Sequence, residues 1–304
     1  MSGTGSAQDT LSPHVHLKLI YNPAAGRGRA RRHIGEAERY FVDRGARVEI
    51  EESVSPDDMS RIAAESSRAG FDRVVVCGGD GSLNLAVRDF DLDSGTLGLL
   101  PLGSGDDFAH VLGISSKLAS ACDVVLNGAP REVDVATANH RRYLGVAGLG
   151  FDSEVAEYAG HVKYLRGSLI YLYSIMRVLP RFTPHRVRIN GRAEEIMFAA
   201  VGNSRQYGGG IRITPAAVID DGVLDLCVVH RTTRAQLLKT LPKAYTGAHV
   251  KSPFVATERG REFVVEGDRE MVVYADGERV TTTPVTFALA EKKLRIVAPV
   301  SFRA

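Results

Sequence analysis

The sequence predicts a mixed α/β chain in two parts, an N-terminal α/β part built on a parallel sheet and a C-terminal, mostly antiparallel, sandwich-like β part. Three observations predict it. From His14 to about Val133, short apolar runs rich in β-branched residues alternate with helical patterns. After about Arg131 that alternation gives way to closely spaced strands. Within the second part Asn190-Gly191 separates two strand-like runs, a strong hairpin signal. The boundary is expected near residue 132, giving parts of 13–132 and 133–304, with the last few residues allowed to return to the first.

In chain order, HVHLKLI (14–20) reads as a strand, followed by a Gly- and Arg-rich turn and a helix near Arg31–Arg44. RVEIEE (47–52) is the next strand. Ser55-Pro56-Asp57-Asp58 then opens a helix, with proline in its first turn and acids where the helix dipole favours them. RVVVCG (73–78) is nearly all apolar, as expected of a strand covered on both faces. A helix after Ser82 and the strand TLGLLP (96–101) complete the alternation. REVDVATA (131–138) and YLGVAGLG (143–150) read as paired strands, and HRVRI and EEIMFAAV as the arms of the Asn190-Gly191 hairpin. Further strands are expected near 222–230, 262–266, 271–275, 285–290 and 294–297, with two inserted helices. One of these is the apolar segment Lys163–Arg181, read either as a helix packed on the β part or as the lining of a lipid-entry groove with basic ends.

Composition narrows the function classes. With 304 residues the chain is long enough for two cores, and its formal charge of +2, with no basic stripe interleaved with aromatics, argues against a dedicated nucleic-acid binder. The three cysteines follow no metal-ligand spacing and fit a reducing cytoplasm, and the nine histidines form no cluster. The first dozen residues show no signal-peptide pattern and are expected to form a loose tail. No apolar run approaches the roughly 18–20 residues needed to span a bilayer, so any membrane contact is expected to be peripheral.

Three glycine-rich turns follow predicted strands of the first part, where open α/β sheets place ligands: Asn22–Arg29, Gly78–Ser82 and Gly103–Phe108. Glycine lets the backbone approach a phosphate, and exposed amides at a helix start attract anions. Neither GxxxxGK[ST] nor a GxGxxG after the first strand is present, which excludes a P-loop nucleotidase and an ordinary dinucleotide dehydrogenase. Asp80, a carboxylate among these amides, has two readings: a cap for the following helix, or a ligand acting through Mg²⁺ at nucleotide phosphates.

GGDGS (78–82) together with GSGDDFA (103–109) resembles the catalytic domain of the diacylglycerol kinase family of lipid kinases, which includes sphingosine and ceramide kinases. The resemblance extends to NPAAG (22–26), GLGFDSEV (148–155), YGGGIRITPAAVIDDGVLDL (207–226) and DGE (276–278). It implies a nucleotide-binding α/β domain related to that of NAD kinases, a β-rich domain, and an active site in the cleft between them. ATP is the implied phosphoryl donor and Mg²⁺ the implied metal. Nucleotide contacts carry over to Asn22, Ser53, Gly79, Asp80, Gly81, Ser82, Gly103, Ser104 and Asp107. Glu278 becomes the general base that takes the acceptor's hydroxyl proton, with Asp276 its neighbour or rival. Val218–Val223 resembles a structural Mg²⁺ loop, with the Asp221 carboxylate and the carbonyls of Val218 and Val223 as ligands; read from the residues alone, Asp-Asp-Gly is a turn. Ser53, Ser82 and Ser104 stand where many relatives have threonine. Asp106 replaces an asparagine, which adds a negative charge near phosphate, and Leu85 replaces a glutamate. The implied protein is a cytoplasmic lipid kinase in transient contact with a membrane that presents its substrate. Diacylglycerol is the expected acceptor, with a sphingoid base or another lipid alcohol behind it. An NAD kinase and a catalytically degenerate binder are the rival readings, and the oligomeric state, a homodimer included, is left open.

Overall fold

A computed structural model describes residues 15–162 and 168–302. The first part begins with β1 (His16–Tyr21), α1 (Ala25–Val42), β2 (Arg47–Glu52) and α2 (Pro56–Arg68). It continues with β3 (Arg73–Gly78), α3 (Asp80–Val87), β4 (Thr96–Pro101), α4 (Asp107–Val111), α5 (Leu118–Asn127) and β5 (Ala129–Val133). The second part contains β6 (Ala136–Ala138), β7 (Arg141–Tyr143), β8 (Val146–Gly150), α6 (Phe151–His161), α7 (Ser168–Val178), β9 (His185–Ile189) and β10 (Arg192–Gly202). After these come β11 (Leu224–His230), α8 (Arg234–Ala244), β12 (Val255–Gly260), β13 (Glu262–Gly267), β14 (Val272–Ala275), β15 (Glu278–Thr282), β16 (Val285–Leu289) and β17 (Leu294–Ala298).

A six-stranded sheet runs in the order β2-β1-β3-β4-β17-β5, parallel except where β5 meets β17. Its central strand β3 is buried along Val74–Gly78, which explains its unbroken apolar run. α2 starts as its sequence predicts: the Ser55 side chain accepts from the Asp58 amide, Pro56 occupies the first turn, and Met59, Ile62, Ala63 and Ser66 fall on one buried face. α1 also begins as expected, with a glycine- and arginine-rich turn ahead of its regular part. Gly26, Arg27 and Gly28 are left-handed, with φ of 55°, 58° and 80°, so the regular helix begins only beyond them.

The second part is an eleven-stranded antiparallel sheet with the main order β15-β14-β8-β10-β9-β13-β16-β6-β7, and β11 and β12 branch from β10. The branch arises within β10. A bulge between Ile196 and Phe198 lets its first half pair with β9 and its second half with β8 and β11. Either side of the bulge, Ile196, Ala199 and Val201 enter the core between the strands, while Met197, Phe198 and Ala200 face a second core under α6 and α8. The inner core centres on the cross-strand pair Phe263 and Phe287, both fully buried; truncating either to alanine costs about 3–5 kcal/mol. Leu179 and Phe182 pack into the second core, with Phe182 edge-on to Phe151 at 5.1 Å, so the C-terminal end of the 163–181 segment lies on the β part. Lys163 and Arg166 of that segment lie outside the described residues.

Several expectations need correction. Residues 131–138 are not one strand: β5 belongs to the first sheet and β6 to the second, and the chain crosses between them at buried Asp134. β6 pairs with β7, whereas β8 pairs with β10 and β14. Three α-helices of the second part are described rather than two. β17 crosses back to lie between β4 and β5, a return of the C-terminal residues that the sequence reading allowed, so two crossings join the two sheets among the described residues. The three cysteines are buried and unpaired.

Candidate active site

β1, β3 and β4 are neighbours in the sheet, so the loops leaving their carboxyl ends meet at one edge. Backbone contact joins them. A Cβ on Gly103 would stand 2.3 Å from the Cα of Gly79, and one on Gly26 2.0 Å from the Leu102 carbonyl oxygen. The Leu102 amide donates to the Gly78 carbonyl at 3.0 Å, and Arg29 donates to the Gly103 carbonyl at 3.2 Å. Asn22 shapes the first loop, its side-chain oxygen accepting from the Ala24 amide at 2.9 Å. Ser53, buried at the end of β2, donates its amide to the Tyr21 carbonyl at 2.9 Å and adds a hydroxyl bond to the same oxygen. Ser82 is buried below the second loop and Ser104 is exposed on the third.

Gly81 differs from these packed glycines. Its φ is not left-handed, and nothing lies within 4 Å of a Cβ built there. Neither packing nor handedness requires glycine, which leaves open space over the first turn of α3, whose N-cap Gly79 supplies no side-chain bond. Free amides facing open space suit an anion. These contrasts give a paired prediction. Gly103→Ala should lower stability by about 1–3 kcal/mol, because backbone stands in the way. Gly81→Ala should leave the melting temperature near wild type, because the added methyl meets nothing.

Asp80 is a cap, although not for its own helix. Its two oxygens accept from the amides of Asp107 and Phe108, each at 3.0 Å, fastening the start of α4 to the second loop. Asp107 then reaches the second part of the chain. Its carboxylate accepts from the Gly209 amide at 2.7 Å and the Gln206 side chain at 3.2 Å. The receiving loop is Gly208-Gly209-Gly210, all left-handed and closed by the paired amides and carbonyls of Tyr207 and Ile211. Burial raises the Asp107 pKa above the usual carboxylate value, the Gly209 amide opposes it, and Asp80 adds to it.

Asp106 is buried and left-handed, with φ 55°, a conformation that aspartate and asparagine tolerate. Its Oδ1 accepts from the Gly103 amide at 2.9 Å, a bond that asparagine would also make. Burial pushes its pKa up to about 6, with the Asp80 charge adding and the Gly103 amide opposing. The folded value lies above the ordinary 3.8, so the folded chain holds a proton that the unfolded chain has lost between 3.8 and about 6. Stability therefore falls as pH rises through that window, and the loss is complete above the folded value. Asp106→Asn removes the effect: its gain in melting temperature over wild type should be small at the acid end of the window and largest at neutral pH and above.

The second sheet carries the β14–β15 hairpin at one edge. Asp276 and Gly277 form its left-handed turn, with φ of 49° and 85°. The Asp276 carboxylate turns inward and accepts from the amides of Leu144, Gly145 and Val146 at 2.9–3.1 Å. Gly145 is required there, since a Cβ would fall 2.3 Å from Asp276 Oδ1. Burial pushes the Asp276 pKa up to about 6; the three amides oppose this, and Asp80 across the cleft adds to it. The Asn84 side chain of α3, which donates to the Ala275 carbonyl at 3.4 Å, joins the helix after the second loop to the strand leading into the DGE turn. Glu278 opens β15 and is exposed, and its side chain has no hydrogen bond among the described residues. Two neighbouring carboxylates thus differ in kind: Asp276 is engaged by backbone amides and Glu278 is exposed to solvent.

Asp152, in the first turn of α6, was given no role by the sequence reading. Burial raises its pKa and a bond with the Tyr207 side chain opposes the rise. Tyr207 begins the triglycine loop docked on Asp107, so this pair borders the same cleft. The signal in the sequence was an acid directly after GLGF.

Val218, Asp221 and Val223 lie on the loop before β11, and the divalent ion implied there does not fit the side chains present. The Asp221 carboxylate is paired with Arg259 and also accepts from the Val223 amide at 3.2 Å. No group of three or more His, Cys, Asp or Glu side chains among the described residues is arranged to hold a metal. No helix among the described residues is long and apolar enough to cross a membrane.

Residues 16–138 match the family described as diacylglycerol kinase catalytic domain, and residues 145–298 match the family described as YegS C-terminal NAD kinase beta sandwich-like domain. A diacylglycerol kinase from Mycobacterium tuberculosis is 31% identical over 296 residues, covering 93% of this chain and 95% of the relative. One from Bacillus subtilis is 27% identical over 290 residues, covering 93% and 96%. The crystal structure of a diacylglycerol kinase from Bacillus anthracis shares the fold, with a TM-score of 0.75 at 24% identity over 94% of this chain and 98% of that one.

Proposed function

The chain belongs to the diacylglycerol kinase catalytic-domain family, and from that premise we propose that it is an ATP-dependent lipid kinase, with diacylglycerol as acceptor and phosphatidic acid as product. One observation carries this reading. Three glycine loops stand in backbone contact at one sheet edge, and the helix after the second of them is hydrogen-bonded through Asn84 to the strand that leads into the turn before the exposed Glu278.

The loops and the open first turn of α3 bind the triphosphate, with Asn22, Ser53, Gly79, Gly81, Ser82, Gly103 and Ser104 around it. Asp107 contributes indirectly, by holding the triglycine loop against the third loop. Mg²⁺ arriving with the nucleotide supplies neutralisation of the phosphate charge. Asp80 is the residue that would hold it, because each of its oxygens keeps a lone pair beyond its one amide bond. Glu278 accepts the proton of the lipid hydroxyl as that oxygen bonds to the γ-phosphorus and the bond to the β-bridging oxygen breaks, releasing ADP. Asp276 is a positioning residue that anchors the hairpin carrying Glu278. Asp152 and Tyr207 border the acceptor side. The lipid is met at a membrane surface by peripheral contact.

The NAD kinase reading draws on the sandwich-like second part, whose family description names that enzyme class. Offering ATP and Mg²⁺ with diacylglycerol, monoacylglycerol, sphingosine and NAD together, and identifying the products by mass, separates the two. Phosphatidic acid as the main product supports the proposal, and NADP as the main product overturns it.

A further inference from the structure

The loop that the family resemblance assigns to a structural divalent cation is held here by basic side chains. We infer that Lys293 and Arg259 act as tethered cations in place of a metal, and that loop 218–223 closes without Mg²⁺ or Ca²⁺.

The Lys293 ammonium donates to the Asp220 carbonyl at 2.8 Å and pairs with Asp134 Oδ1 at 2.9 Å. The Asp134 side chain is only 4% exposed. Its other oxygen accepts from the Gly222 amide at 2.8 Å, and its own amide donates to the Ile219 carbonyl at 2.7 Å. A buried carboxylate and a backbone carbonyl are the hard oxygen ligands a divalent ion would seek. In this chain they converge on an ammonium, whose several donors suit more than one oxygen. On the outer side of the loop Arg259 pairs with Asp221 and reaches Asp225 Oδ2 at 3.3 Å. A divalent ion at Asp221 would have to displace a guanidinium and would sit close to a second fixed positive charge. Two basic side chains already face the three carboxylates Asp134, Asp221 and Asp225, which reduces the electrostatic gain left for a divalent ion.

The position explains why such a cation is useful. Asp134 directly follows β5 and Lys293 directly precedes β17, at the two crossings between the sheets. The Lys293 bridge ties both crossings to loop 218–223, and these crossings set how the halves flank the cleft. A covalently attached cation makes that junction indifferent to divalent concentration, whichever acceptor the cleft takes.

The test uses the full chain without nucleotide. The wild-type melting temperature in EDTA should match that in millimolar Mg²⁺ or Ca²⁺ within about 1 °C, since a ligand that does not bind shifts nothing. The desalted protein should carry no stoichiometric divalent metal. Lys293→Met, which leaves Asp134 buried and unpaired, should melt roughly 5–10 °C lower. Stoichiometric metal retained by the wild type and lost in Asp221→Asn, or a wild-type melting temperature that falls in EDTA and returns with Mg²⁺, overturns the inference. So does a Lys293→Met chain that melts like wild type. The wild-type comparisons need no variant, so a Lys293→Met chain that failed to fold would leave them decisive.

Discussion

Asp80→Asn should lower kcat for phosphoryl transfer by about a thousandfold, the scale on which a single transition-state charge contact acts. The same substitution should cost only about 1 kcal/mol of stability, the scale of one helix cap. The separation follows from geometry. Asp80 accepts the amides of Asp107 and Phe108 with one oxygen each. Asparagine keeps one acceptor and turns an NH₂ toward the other amide, so α4 loses half of its fastening and the core is untouched. The carboxylate charge is lost entirely, and with it the group assigned to hold the nucleotide's metal. Melting temperature and kcat measured on one preparation check this. A large drop in stability with proportionate loss of activity would reduce Asp80 to a cap, and full activity would remove it from the chemistry.

Glu278→Gln should lower kcat by about 10²–10⁴-fold, the usual contribution of a positioned general base. KM for ATP and the melting temperature should stay near wild type, because the Glu278 side chain is exposed and makes no hydrogen bond among the described residues. Asp276→Asn should behave in the opposite sense. Its amide would place an NH₂ against the backbone donors of Leu144, Gly145 and Val146, so stability should fall first and activity with it. Thermal melts and steady-state kinetics on the two variants distinguish base from anchor. If Asp276→Asn kept wild-type stability while losing turnover, the roles would be exchanged.

What was legible in the sequence follows from how locally each feature is encoded. RVEIEE, RVVVCG and TLGLLP coincide with β2, β3 and β4, and Ser55-Pro56 marks the start of α2, because burial pattern and capping are written within a few residues. β12 and β15 were missed: VATERG and ERVTT are polar and have no buried residue, and both lie at sheet edges, where one neighbour rather than two shapes the pattern. The change of sheet at Asp134 was missed because period-two alternation continues across it. The site was partly legible. The glycine loops and the DGE turn stood out, and the structure brings them to one cleft. The uses of their carboxylates did not stand out, because the partners are distant in sequence. Asp80 caps a helix 27 residues away, Asp276 binds amides about 130 away, and Asp221 meets Arg259 38 residues later. A local reading of Asp-Asp-Gly cannot contain that arginine.

Transfer of the labelled γ-phosphate of ATP to diacylglycerol in mixed micelles with Mg²⁺, by the wild-type chain beside Glu278→Gln, tests the kinase assignment most directly. Labelled phosphatidic acid from the wild type, with almost none from the variant, is the predicted result. An unlabelled lipid pool from a wild-type chain that binds ATP, or equal labelling by both chains, would contradict it.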